Sequence, residues 1–265
     1  VSICGFIYLQ ERQKSNFLKM IPVFLIGGGW RAETFSQTYG RFLEAATQNA
    51  KRRIAIVVAE EPDTDANQQF LRFRGAFEAV GLNSADAVNL VVSAANPLTA
   101  EKLIAAQPTG IFVCGGLTPA YYNALCRRDK SWLGYLSENK IPYAGFSAGA
   151  SVAAEYAIIG GWRRKINNRM VEAANENAGE DLDFLDVRKG LGLVPFAVDV
   201  HATQWGTLPR LVHAIDARLA PEGWAIDENT LLEIKGNEVC IYGAGNAYYV
   251  RRQNEKITVE VFQTA

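Results

Sequence analysis

Histidine is scarce in this chain: 265 residues carry two, His201 and His213. Any imidazole chemistry therefore has two candidates. The four cysteines, Cys4, Cys114, Cys126 and Cys240, contain no Cys-x-x-Cys pair. That spacing argues against a zinc site and a disulfide framework, and fits a reducing cytoplasm. Charge of one sign is not in excess either. With 27 Lys and Arg against 28 Asp and Glu, the formal charge is −1, which gives no support for a nucleic-acid or membrane-surface partner. The apolar stretch near the start, Val1 to Leu9, has no basic residues before it and runs into Glu11, Arg12 and Lys14. It is too short to span a bilayer and poorly formed as a signal peptide. Residues 1–19 read as an extension outside the fold, and residues 20–265 as one domain, 265 residues at 49% hydrophobic being enough for one sizeable core.

What is present is a repeating order of buried strand, glycine-rich turn and amphipathic helix. Ile21 to Ile26 is an apolar run ending in Gly27-Gly28-Gly29. Arg53 to Ala59, Val88 to Val92, Ile111 to Cys114 and Ile141 to Phe146 have the same strand character. Between them, Phe35, Tyr39, Phe42, Leu43 and Ala46, then Phe70, Phe73, Phe77 and Val80, recur at the spacing of a helix face. Strands apolar on both faces and alternating with helices predict an α/β fold with a mostly parallel sheet sandwiched by helices. Ligands in such sheets sit at the carboxyl ends of the strands. The glycine clusters at 27–29, 115–116 and 145–149 all fall there. Gly27-Gly28-Gly29 lacks the third glycine of a dinucleotide fingerprint, so no cofactor is expected. Residues 162–183 read as a polar excursion, and the β-rich runs from Trp224 onward as antiparallel strands added to the sheet.

Gly145-Phe146-Ser147-Ala148-Gly149 is the centre of the chain. A Gly-x-Ser-x-Gly at a strand-to-helix turn is the spacing of a nucleophile elbow, where a sharp turn exposes the serine hydroxyl. The following helix directs its first N–H groups at the place where an oxyanion would form. Ser147 needs a base, and His201 ends a strand at the same sheet edge. His213 lies mid-helix between Val212 and Ala214, a solvated or packed position. The N–H groups of Ala148 and of Gly115-Gly116 are candidate oxyanion donors.

Gly-x-Ser-Ala-Gly-Ala, the upstream Gly-Gly, Asp199-x-His201 and Gln204-x-Gly-x-Leu-x-Arg210-Leu211 together resemble the dipeptidase E and cyanophycinase family of serine peptidases. Asp227-Glu228-Asn229-Thr230 resembles that family's acidic motif near the C-terminus. The resemblance implies a class I glutamine-amidotransferase-like fold. It also implies cleavage of short peptides or isopeptides beside an aspartyl residue, with no metal. It casts Ser147 as nucleophile, His201 as base, and Gly116 and Ala148 as oxyanion donors, with Thr118, Asp199, Gln204 and Arg210 toward substrate.

Departures from the family pattern matter as much. An acid is expected soon after Gly160-Gly161, where this chain has Trp162-Arg163-Arg164-Lys165. The third triad member is therefore sought in the excursion, with Glu180 first and Glu176, Asp181 and Asp183 open. Trp205 and Thr207 stand where cyanophycinases carry arginines, leaving Arg210 to pair a substrate carboxylate and Trp205 as a flat apolar wall. The expected substrate is a small acidic dipeptide or related amide rather than the cyanophycin polymer. A catalytically inactive binding module and an α/β-hydrolase esterase are the competing functions, and a homodimer is left open.

Overall fold

A computed structural model describes residues 21–49 and 51–264. The proposed extension at 1–19 lies outside them. Among the described residues, no helix is long and apolar enough to cross a membrane.

The four-residue β1 (Val23–Ile26) is buried at every position and lies inside a seven-stranded sheet. It pairs in parallel with β5 (Tyr143–Phe146), which continues in parallel through β4 (Gly110–Val113) and β2 (Ile54–Ala59) to β3 (Ala87–Val92). On its other side it pairs antiparallel with β12 (Thr230–Lys235), and β13 (Glu238–Gly243) closes that edge. This is the α/β sheet the alternating pattern implies, with antiparallel strands added at one side. The crossovers include α1 (Tyr39–Ala45), α2 (Ala66–Glu78), α3 (Ala100–Ala106), α4 (Thr118–Leu125) and α5 (Ser131–Glu138). The Asp65 side chain caps α2 by accepting from the N–H groups of Asn67 and Gln68.

A second sheet is the addition to the expected picture. The helix after the elbow, α6 (Ala148–Ala153), is only six residues long and passes directly into β6 (Ala154–Gly160). The order of this sheet is β15 (Lys256–Gln263), β14 (Asn246–Gln253), β11 (Glu222–Ile226), β10 (Val194–Val200), β6 and β9 (Asp186–Lys189). The stretch from Trp224 to Ile234 is thus two strands in different sheets. β11 runs parallel to β10, with Val200 opposite Ile226. The polar excursion also holds structure: β7 (Arg163–Ile166) and β8 (Arg169–Glu172) form a hairpin. α6 packs against β1 and β5 on one side and β6 and β10 on the other, so one apolar core joins both sheets. α7 (Leu208–Asp216) covers β10 and β11.

Cys114 and Cys126 are free and buried.

Candidate active site

Three chain segments leave their strands at one edge and are tied there by the end of β1 and the glycines that follow it. Ser147 N–H donates to the Ile26 carbonyl at 2.9 Å, His201 N–H to the Gly27 carbonyl at 3.0 Å, and Asn229 N–H to the Gly28 carbonyl at 2.6 Å. Gly28 has φ +110°, and a Cβ there would come within 2.2 Å of the His201 ring. No other residue fits, which explains why glycines end β1 although no cofactor motif is formed.

The elbow obeys the same steric rule. A Cβ at Gly145 would meet the Gly149 carbonyl oxygen at 2.3 Å. The turn between them holds Ser147 at φ 51°, ψ −113°, and at the end of β10 His201 takes φ 55°, ψ 39°. Positive φ in a non-glycine residue costs on the order of 1–3 kcal/mol and persists only where the surroundings impose it. Here the backbone bonds to the glycine loop and the buried strands on either side impose it.

The two strained residues meet. Ser147 Oγ lies 2.8 Å from His201 Nε2, and His201 Nδ1 lies 2.8 Å from Glu228 Oε1. Ser147 and His201 are buried, whereas the Glu228 side chain keeps 26% of its exposure. Burial disfavours the imidazolium and pulls His201 below its ordinary value. The hydrogen bond and charge of Glu228, and then Asp199, oppose the shift, while Arg210 adds to it. The Trp205 indole stacks on the imidazole with ring centres 3.9 Å apart and planes 7° from parallel.

A polar frame fixes the acid. Gln204 Oε1 accepts from the Glu228 N–H at 2.9 Å. Asp227 accepts from the N–H and hydroxyl of Thr203 at 3.0 and 2.8 Å, and from the Asn246 N–H at 2.9 Å. The loop carrying Glu228 is thereby tied to the turn that carries His201.

The carboxylate on the imidazole is thus Glu228 and not Glu180. Glu180 accepts instead from the Thr118 N–H at 3.0 Å and the Thr118 hydroxyl at 3.1 Å. Burial raises its pKa, against the Thr118 N–H, Arg210 and the Thr118 hydroxyl, and the charge of Glu61 adds to the rise. Glu176, Asp181 and Asp183 line the same cavity, and Asp183 is paired with Arg163 at 2.7 Å. The sequence signal for Glu228 lay in the acidic patch after β11. Parallel pairing of Val200 with Ile226 brings the residues after both strands together.

The residues expected to touch substrate are differently placed. Thr118 is buried and engaged with Glu180. Gln204 orients the Glu228 backbone. Arg210 donates to Asp199 through Nε at 2.8 Å and Nη2 at 2.7 Å, and to the Ala178 carbonyl. Asp199 is 0% and Arg210 5% exposed, so this pair ties β10 to α7 and is closed to ligand. Gly116 lines the cavity beside Ser147, and Ala148 opens α6, where an N–H has no intrahelical acceptor.

The cavity over Ser147 has a volume of about 800 Å³, enough for a short peptide. Trp30, Leu117, Phe146 and Trp205 give it apolar walls, and Glu61 and Arg72 bring opposite charges. Burial raises the Glu61 carboxyl, partly offset by the Leu117 N–H that it accepts at 2.8 Å.

Comparison with known proteins adds three findings. The model of Peptidase family S51 matches residues 23–242. Cyanophycinases of Synechococcus elongatus and Thermosynechococcus vestitus (strain NIES-2133 / IAM M-273 / BP-1) are each 28% identical over 190 residues, covering 67% of this chain and 51% of theirs. The chain thus spans about half the length of these relatives. A peptidase from an acI-B1 Actinobacterium superposes with a TM-score of 0.63 at 15% identity, over 92% of this chain and 97% of that one. At that identity the likeness concerns the fold.

Proposed function

The chain belongs to peptidase family S51, and from that premise we propose a serine peptidase that cleaves an amide bond in a small peptide through Ser147, His201 and Glu228. One observation carries the proposal: the unbroken hydrogen-bond chain from Ser147 Oγ through both imidazole nitrogens to Glu228 Oε1, with both links at 2.8 Å.

The chemistry follows from that order. Ser147 Oγ attacks the scissile carbonyl carbon as His201 Nε2 takes its proton. Glu228 accepts a hydrogen bond from Nδ1–H, which leaves Nε2 as the free base, and its charge stabilises the imidazolium that forms. The N–H groups of Gly116 and Ala148 receive the developing oxyanion. Collapse breaks the C–N bond, and Nε2 hands its proton to the departing amine. Water then adds to the acyl-serine by the same path, releasing the acid and restoring Ser147. His201, held neutral by burial, is already a base at neutral pH.

The substrate reading is a short peptide with an aspartyl residue at the scissile bond. A residue with a free ammonium and a side-chain carboxylate matches a cavity that presents Glu61 and Glu180 together with Arg72. The inactive-module reading drew its support from a missing acid, and Glu228 removes that support. Incubation with aspartyl, β-aspartyl and arginyl-linked dipeptides, alongside a fluorophosphonate probe, tests the proposal. Release of free amino acid and an adduct on Ser147 are expected. A folded protein that takes no adduct would contradict it.

A further inference from the structure

Arg72 is the one lysine or arginine among the described residues lining the cavity. It stands on α2 with its guanidinium carbon 3.7 Å above the centre of the Trp30 ring. Trp30 packs in turn on Phe146, the residue before Ser147, with ring centres 5.1 Å apart, and on Phe73 at 4.8 Å. The cation is therefore held near the nucleophile by a stack of rings instead of by an acid. Among the described residues, Arg72 has no hydrogen bond or ion pair. Its five N–H donors are free, and a guanidinium held over an indole by its π face keeps that fork of donors for bidentate contact with a carboxylate.

A second side chain on the same helix face has an unmet need. Gln69, three residues earlier, lines the same cavity, and its Oε1 is buried without a hydrogen-bond partner. A buried acceptor left empty is costly, so it calls for an N–H donor. The contrast with Arg210 is direct, because that guanidinium already serves Asp199 and Ala178.

We propose that Arg72, laid on Trp30, holds the side-chain carboxylate of an acidic residue whose carbonyl Ser147 attacks, with Gln69 Oε1 accepting an N–H of that residue. This rests on the peptidase reading above and makes Arg72 its specificity-determining side chain. The other ionisable lining residues are mostly carboxylates, among them Glu61, Glu180 and Asp181. Without Arg72 the cavity repels an acidic ligand.

The test compares aspartyl-leucine with asparaginyl-leucine, an isosteric pair differing by one charge, in the parent, Arg72→Ala and Arg72→Lys. Arg72→Ala should lower kcat/KM for the aspartyl substrate by about tenfold to a hundredfold, chiefly through KM, and collapse the aspartyl-to-asparaginyl ratio. Arg72→Lys should restore part of that ratio, since it returns the charge without the fork. Parallel losses on both substrates, or an unchanged ratio, would overturn the assignment. A calorimetric arm separates it from the peptidase reading, using Ser147→Ala protein with and without Arg72→Ala. The single variant should bind N-acetylaspartate more tightly than N-acetylasparagine, and the double variant should not discriminate. Equal affinities in the single variant overturn the carboxylate subsite. Failure of Ser147 to take a fluorophosphonate instead overturns the nucleophile and leaves this binding result standing.

Discussion

Asp199 and His201 both stand at the end of β10, and their surroundings give them opposite work. Asp199 faces Arg210 in a closed, buried, bidentate pair. His201, two residues later, faces Glu228 and Ser147 across an open cavity. Along a regular strand, residues two apart share a face. The alternation ends here because His201 leaves the strand in the left-handed conformation. A charged residue becomes structural when the chain itself satisfies its partners, and available for chemistry when one side is left open. The Asp199–Arg210 pair holds β10 to α7, and the serine–imidazole–glutamate chain uses the platform so formed.

The largest effect should come from Ser147→Ala, which removes one hydroxyl from the open set. Turnover should fall by about 10⁴-fold or more with the fold retained. Steady-state kinetics and circular dichroism would check this, and activity within tenfold of the parent would refute the nucleophile. Glu228→Gln comes next. Its amide can no longer hold the Nδ1 proton as a carboxylate does, and kcat should drop by roughly 10³-fold or more. Glu180→Gln, whose amide still accepts from Thr118, should stay within about tenfold. Steady-state kcat for the two variants separates the assignments.

The closed pair should respond in stability instead. Arg210→Ala leaves Asp199 buried and uncompensated, a loss of about 3–5 kcal/mol in a denaturant titration. A raised KM with unchanged stability would return Arg210 to the substrate. The smallest effect concerns pH. In the proposed mechanism His201 works as the neutral base, and burial holds its pKa below the ordinary 6.5. The acid limb of kcat/KM should therefore fall below pH 6.5, and lower still in Glu228→Gln, which loses the contacts that raise the value. A limb above 6.5 in the parent would show that Glu228 outweighs burial.

Much of the parallel sheet could be read in the chain, because β1, β2, β4 and β5 are buried at every position and carry continuous apolar runs. The elbow was legible for a steric reason, since Gly145 and Gly149 admit no side chain across the turn. Glu228 was hidden by topology. Trp224 to Ile234 looks like one antiparallel run, and nothing local says that β11 ends at Ile226 in register with Val200. Once that pairing is known, Glu228 is the acid beside His201. Arg210 misled in the opposite way. A motif position carries the residue type, but only packing shows that Asp199 and Ala178 already occupy its donors. α4 and α5 gave little periodic signal, being only eight residues each.

The central claim is that Glu228, through His201, activates Ser147. The rate at which a fluorophosphonate labels Ser147 reads that activation without a known peptide substrate. Measured side by side, Glu228→Gln should slow labelling by about a hundredfold or more, while Glu180→Gln stays within a few-fold of the parent. Equal slowing in both variants, or the deeper loss in Glu180→Gln, would contradict it.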